Sequence, residues 1–233
     1  MKRFSAIRFL LSGVLITITI SASAQAGNDT KSNTLFKGHV YTFTPENTTY
    51  APVWDTIKIE DVAWIKKTWR TIDLSQKENE WLNLTSVHPS IGDVLLNGLY
   101  SGQFPAHHIF TDDRFVDVFT PEMIMSLKAS GVQGNAITSL KIKESWIYVI
   151  SKKELVVHII GIAPVVKDPG GEEKTLFWAY YPDAREYFSK QLVSAPGTSP
   201  GTLDEVFEGR FFSSKIDKVT EQIIEPHTGG PKW

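Results

Sequence analysis

Apolar residues first recur at helical spacing and later at strand spacing, so the chain predicts helices around a sheet. Val62, Ile65, Trp69 and Ile72 lie at i, i+3, i+7 and i+10, which predicts an amphipathic helix over this stretch. Residues 79–89 read as a connection. Ser90-Ile91-Gly92-Asp93 has the form of a capping box, and Ile91, Val94, Leu95, Gly98, Leu99 and Gly102 trace one face of the helix it opens. Residues 115–119 read as a short strand, and Thr120-Pro121-Glu122 as a helix start. The period then changes to two. Leu140, Ile142, Trp146, Tyr148 and Ile150 alternate with Lys141, Lys143, Ser145, Ile147 and Val149. Ser151-Lys152-Lys153 turns the chain into the β-branched run 154–166, Asp168-Pro169-Gly170-Gly171 turns it again, and 176–181 supplies a third strand. Residues 184–193 look helical, and Thr202-Leu203-Asp204-Glu205 caps a last short helix through Phe212. The expected fold is α+β: a single domain of amphipathic helices around a small antiparallel β-meander.

The ends of the chain have a different character. Lys2, Arg3 and Arg8 precede an apolar run at 9–20, and Ala22-Ser23-Ala24 and Ala24-Gln25-Ala26 offer small-x-small sites. Residues 1–26 are therefore expected to be a signal peptide, cleaved after Ala24 or Ala26. An extended arm at 27–53, a domain at 54–225 and a Gly- and Pro-rich tail at 226–233 follow. The chain holds no cysteine, which removes the lipobox that would attach lipid directly and favours a bacterial periplasm over a disulfide-dependent secreted setting. Without Lys2, Arg3 and Arg8 the 24 basic residues fall to 21 against 26 acidic ones, a net charge of −5. That balance argues against nucleic-acid partners and against docking on anionic lipid. The glycosylation sequons at Asn47 and Asn83 read as chance matches in that setting.

Catalytic chemistry finds little footing. None of the histidine pairs has the i, i+4 spacing of a helical zinc site, and the adjacent His107 and His108 point apart on any regular element. His158 sits in an apolar strand and reads as a structural histidine. There is no Gly-x-Ser-x-Gly elbow and no cysteine nucleophile, and Gly131-Val132-Gln133-Gly134 lacks the phosphate-cradling pattern. Asp112-Asp113 and Glu172-Glu173 read as solvated turn residues. No catalytic residue, cofactor or metal site is predicted. Tryptophan and arginine usage is more informative. Trp54, Trp64, Trp69 and Trp81 cluster within 28 residues, and both a core and an interface reading of them stay open. Arg70 can pair with Asp73 at i, i+3. Arg210 falls on the apolar stripe of the last helix with Leu203, Val206 and Phe207, so it must meet a carboxylate inside the domain, reach solvent or meet a partner. Internal pairing is the favoured outcome.

At these residues the chain resembles a known family. Asp61-Val62-Ala63-Trp64-Ile65-Lys66-Lys67-Thr68-Trp69-Arg70-Thr71-Ile72-Asp73-Leu74 is similar to the D-V-x-W-x-K-x-x-W-R-x-I-D-L segment of the gliding-motility protein GldN, also called PorN, and Lys77 and Asn79 match its K-x-N continuation. Asp93-Val94-Leu95-Leu96-Asn97-Gly98 resembles its D-V-L-L-x-G segment, and Phe207-Glu208-Gly209-Arg210-Phe211-Phe212-Ser213-Ser214 its F-E-x-R-x-F-S-S segment. Ser75-Gln76 stands where the family has R-E, and 80–85 lacks the family's aromatic, proline-containing run. The resemblance implies a non-enzymatic subunit of the bacterial type IX secretion system. Such a subunit sits in the periplasm at the inner face of the outer membrane. It forms a ring with neighbouring copies and a lipoprotein of the GldK/PorK type, in contact with the GldM/PorM motor protein. Candidate partner contacts are Trp64, Trp69, Arg70, Asp73 and Arg210. The alternative from another class is a periplasmic glycan- or peptide-binding module that uses the tryptophans as stacking platforms.

Overall fold

Residues Val62–Asp73 form a twelve-residue strand, β1, and not the helix that their spacing predicts. Its buried positions, Val62, Ile65, Thr68 and Ile72, are three or four apart because both faces of the strand are covered at different points along it. Ile72 pairs with Leu140 on one face and Ile65 with Ile147 on the other, and a register shift between Val62 and Trp64 moves the end residue again. A strand buried alternately on its two faces mimics a helical period. The overlooked signal is β-branching at Val62, Ile65, Thr68, Thr71 and Ile72, which favours extended backbone.

The computed structural model describes residues 54, 57–86, 88–109, 114–194 and 201–220. The expected signal peptide, arm (to residue 53) and tail lie outside them, as does Asp112-Asp113. The remaining elements are α1 (Ile91–Tyr100), β2 (Ala106–His107), α2 (Pro121–Ala129), β3 (Ile137–Val149), β4 (Glu154–Lys167), β5 (Glu173–Thr175), β6 (Trp178–Tyr180), α3 (Tyr181–Phe188), β7 (Leu192–Val193), β8 (Gly201–Thr202), α4 (Leu203–Gly209) and β9 (Lys215–Val219). The main sheet runs β2-β6-β4-β3-β1-β9, with β5 also paired to β4, and every pairing is antiparallel. The class is α+β, as expected, but β1 and β9 widen the sheet beyond a small meander.

Several boundaries differ for local reasons. The strand expected at 115–119 reduces to one bridge between His107 and Val118, since Phe115 adopts a left-handed φ of 58°. The third strand, expected at 176–181, shortens to β6, and β5 is a separate strand just before that range. Helix α3 starts at Tyr181 because Pro182, without an N–H to donate, suits a first turn, and residues beyond Phe188 leave the helix for β7. Helix α4 ends at Gly209, three residues before Phe212. The 79–89 connection carries a short 3-10 turn, Glu80–Asn83, that buries Trp81 and Leu82.

The core lies between one sheet face and helices α1, α3 and α4. Ile72, Leu140, Ile142, Ile159 and Ile162 meet Leu95, Leu99, Phe188 and Phe207 there. Ser90 caps α1 by accepting from the Asp93 N–H at 3.0 Å. The Asp93 carboxylate does not reciprocate on the Ser90 backbone. It accepts from the Ser90 hydroxyl at 2.6 Å and the Gly134 N–H at 3.2 Å. Helix α1 and the 3-10 turn Gly134–Ala136 that leads into β3 approach so closely here that a Cβ on Gly92 would lie 2.2 Å from the Gly134 carbonyl oxygen, which is backbone and cannot swing aside. Gly92→Ala is expected to destabilise the fold by roughly 1–3 kcal/mol, read as a lowered urea midpoint with an unchanged slope.

Candidate functional site

The register divides the candidate residues between the two sheet faces. Trp64, Lys66, Thr68 and Arg70 of β1 stand opposite Tyr148, Trp146, Glu144 and Ile142 of β3, on the face that carries the helices. Trp69 and Asp73 stand opposite Lys143 and Ser139 on the reverse face. The five residues therefore do not form one cluster. The i, i+3 pair suggested for Arg70 and Asp73 is ruled out as well, because three residues along a strand point to opposite sides. Asp73 instead accepts from the Ser75 hydroxyl at 2.6 Å and its N–H at 2.9 Å, and these bonds hold its carboxyl below the usual range.

Arg70 meets a carboxylate that the sequence reading passed over. Glu144 is fully buried and accepts from Arg70 Nε at 2.8 Å, Trp146 Nε1 at 2.8 Å and Arg210 Nε at 3.2 Å. Arg210 is the C-cap of α4, in the left-handed conformation (φ 55°, ψ 42°), and not a stripe residue within the helix. Its guanidinium also donates to the Glu208 carbonyl at 3.0 Å. Internal pairing is thus the way Arg210 resolves its burial. The sequence holds both halves of one signal: an arginine that needs an acid, and an acid in the inward phase of β3 between Ile142 and Trp146.

Two of the three segments that carry the family resemblance, 61–79 and 207–214, converge at this point. Arg70 Nη1 donates to the Ser214 hydroxyl at 3.2 Å. The Asn79 side chain donates to the Asp73 and Ser213 carbonyls and accepts from the Ser213 N–H at 2.7 Å, which fastens the end of β1 to the strand-ward exit of α4.

A second buried network lies between α3 and α4. Arg185 grips Asp204 with two parallel bonds of 2.9 and 3.1 Å, and Tyr181 donates to the same carboxylate at 2.7 Å. Glu208 lies 3.5 Å from Arg185 and accepts from Trp54 Nε1 at 3.1 Å. Trp54 stacks on His158 with ring centroids 4.2 Å apart, so it is held inside the fold. Burial first, then the Asp204 and Glu208 carboxylates, push the Tyr181 phenol well above its ordinary value, and burial does the same to Tyr180. A phenol kept neutral in the folded state stabilises it fully below the unfolded value, about 10, and that contribution is lost as pH rises further. Unfolding free energy is therefore expected to fall with pH above about 10, and the Tyr181→Phe variant should show a shallower fall.

Trp64 and Trp69 are both half-buried. Trp64 stacks against Tyr148 at 6.0 Å with Lys66 over its ring, whereas Trp69 lies between the ammonium groups of Lys143 and Lys218, at 5.3 and 4.7 Å. A cleft of about 440 Å³ is lined by Ile57, Lys58, Glu60, Asp61, Val149 and Lys152. Hydrogen bonds from Ser151 hold the Asp61 carboxyl there below its usual range. Among the described residues no group of three or more histidine, aspartate or glutamate side chains is placed to hold a metal ion, and no helix is long and apolar enough to cross a membrane.

Compared with known proteins, the chain matches a family model described as gliding motility associated protein GldN over residues 57–224, well over half of its 233 residues. No curated protein matches it.

Proposed function

The chain belongs to the GldN family of gliding-motility-associated proteins, and from that membership we propose that it is a non-enzymatic structural subunit of the type IX secretion system. In this reading it is exported to the periplasm and joins neighbouring copies and an outer-membrane lipoprotein of the GldK/PorK type. Together they form a ring that contacts the periplasmic part of the GldM/PorM motor protein and supports protein export or gliding. The family match over 57–224 carries the reading.

The geometry agrees in kind. The strongest buried charges bind one another and lock α3, α4 and the sheet together, while aromatic residues such as Trp64 stay partly accessible. A closed ring needs a heterologous contact, in which one face of the subunit complements a different one. A few aromatic anchors would dominate each such contact. Affinity purification of a tagged copy from detergent-extracted envelopes should bring down the lipoprotein, and Trp64→Ala should reduce that recovery about tenfold or more, a loss typical of an interface anchor. Recovery of the tagged protein alone would overturn the reading.

The Trp64–Tyr148 stack favours one second reading, a glycan- or peptide-binding module. Saturable quenching of tryptophan fluorescence by cell-wall fragments would establish it in place of the assembly role.

A further inference from the structure

Strand β9 ends the main sheet: β1 pairs with one of its edges, and no strand pairs with the other among the described residues. All five of its residues, Lys215–Val219, are exposed. The Thr220 N–H donates to the Lys67 carbonyl at 2.8 Å, and Val219 stands one residue along, opposite Thr68. Bonding direction alternates along an antiparallel ladder, so the Val219 N–H and C=O point outward. The bulge at Asp217 gives this edge a regular side-chain pattern. Lys215, Ile216, Lys218 and Val219 stand opposite Thr71, Arg70, Trp69 and Thr68, four successive positions of β1. Ile216 and Val219 therefore share the helix-side face, 42% and 48% exposed, and Lys215 and Lys218 share the reverse face. Lys218 rests over the Trp69 ring at 4.7 Å, which keeps its charge on that side. The acid of the strand, Asp217, is turned to β1, where it accepts from the Thr71 hydroxyl at 2.6 Å.

We propose that the outer edge of β9 takes up an extended segment of a partner protein by strand addition, and that this segment alternates acidic and apolar residues. Its backbone bonds to the outward groups of β9. Its apolar side chains cover Ile216 and Val219, and its carboxylates face Lys215 and Lys218. Charge complementarity selects this occupant. Without its expected signal peptide the chain is acidic overall, yet this edge presents two lysines and an aspartate already bonded to its own sheet. Lysines on an edge strand ordinarily prevent pairing, and here they prevent it selectively. A second copy adding its own β9 would bring the lysines of both copies together on the reverse face, where like charges repel. A partner strand with lysine at those positions meets the same repulsion, while one with glutamate or aspartate is attracted. Edge protection alone does not call for the exposed apolar pair on the other face. The inference concerns this edge and stands whether or not the chain is a ring subunit.

The probe is a short synthetic peptide of alternating glutamate and valine, titrated into the purified full mature chain and followed by fluorescence anisotropy and hydrogen exchange. Saturable binding is expected, with the Val219 amide exchanging at least about tenfold more slowly in the complex. Lysine in place of glutamate in the peptide should weaken binding at least about tenfold, and the Lys215→Glu/Lys218→Glu variant should reverse that preference. A third peptide, N-methylated at the alternate amides that face β9, keeps every charge but cannot complete the ladder, and it should not bind. This control needs no variant of the protein. No saturable binding of the acidic peptide, equal binding of the N-methylated one, or a preference unchanged in the folded variant would overturn the proposal. Self-association of the chain that is lost on Val219→Pro would assign the edge to a second copy and overturn it as well. No envelope partner enters these measurements, so strand addition can fail while the assembly reading stands, and the reverse.

Discussion

Replacing Asp204 with alanine is expected to cost about 5 kcal/mol of unfolding free energy, near the top of the range for breaking a buried ion pair. Both side chains of the Arg185–Asp204 pair are only 7% exposed, so the guanidinium left behind has little route to water. Its remaining acid, Glu208, is at 3.5 Å and partly solvated, and compensates weakly. Tyr181 loses the acceptor of its 2.7 Å bond in the same step. The cost arises from the stranded partner and not from any large net worth of the pair. Hence Arg185→Met/Asp204→Leu should recover most of the loss. Urea denaturation of the two single variants and the double variant checks this. A double variant as unstable as the sum of the singles would contradict it.

The Glu144→Ala variant is expected to lose about 3 kcal/mol. Two guanidiniums and the Trp146 indole give up a common acceptor, but Arg70 and Arg210 are 19% and 31% exposed and regain some water. That access sets the value at the lower end of the range. Arg70→Ala or Arg210→Ala should each cost less, because the other arginine still neutralises the carboxylate. A loss below about 1 kcal/mol for Glu144→Ala would show the pairings to be energetically idle. The variant should also loosen the segment between α4 and β9, because Arg210 and the Arg70–Ser214 bond hold it to the sheet.

Much of the fold was legible where local rules and tertiary packing agree. The β3–β4 hairpin follows from the period of two along β3 and the β-branched run of β4 on either side of the turn at Ser151-Lys152-Lys153, and the starts of α1, α2 and α4 follow from Ser90, Thr120 and Thr202, each of which accepts the N–H three residues on. The capping box at Thr202 and Glu205 is complete. Reading failed where packing overrode the local pattern. In β1, burial on both faces produced helical spacing. In β9, Lys215-Ile216-Asp217-Lys218-Val219 offers no apolar run, and pairing with β1 through a bulge makes it a strand. The candidate site was half legible. Arg210 announced its need for an acid, but Glu144 lies 66 residues away and only the register of β3 brings it under Arg70. Arg185 and Asp204 carried no comparable signal, since each looks like an ordinary polar residue of a short helix.

Under the proposed function the subunit acts through the surfaces it presents. Electron microscopy of whatever co-purifies with a tagged copy from extracted envelopes tests that claim most directly. Closed rings containing this chain and an outer-membrane lipoprotein, lost on deletion of the chain, are the expected result. Solitary monomers, with rings intact in the deletion strain, would contradict it.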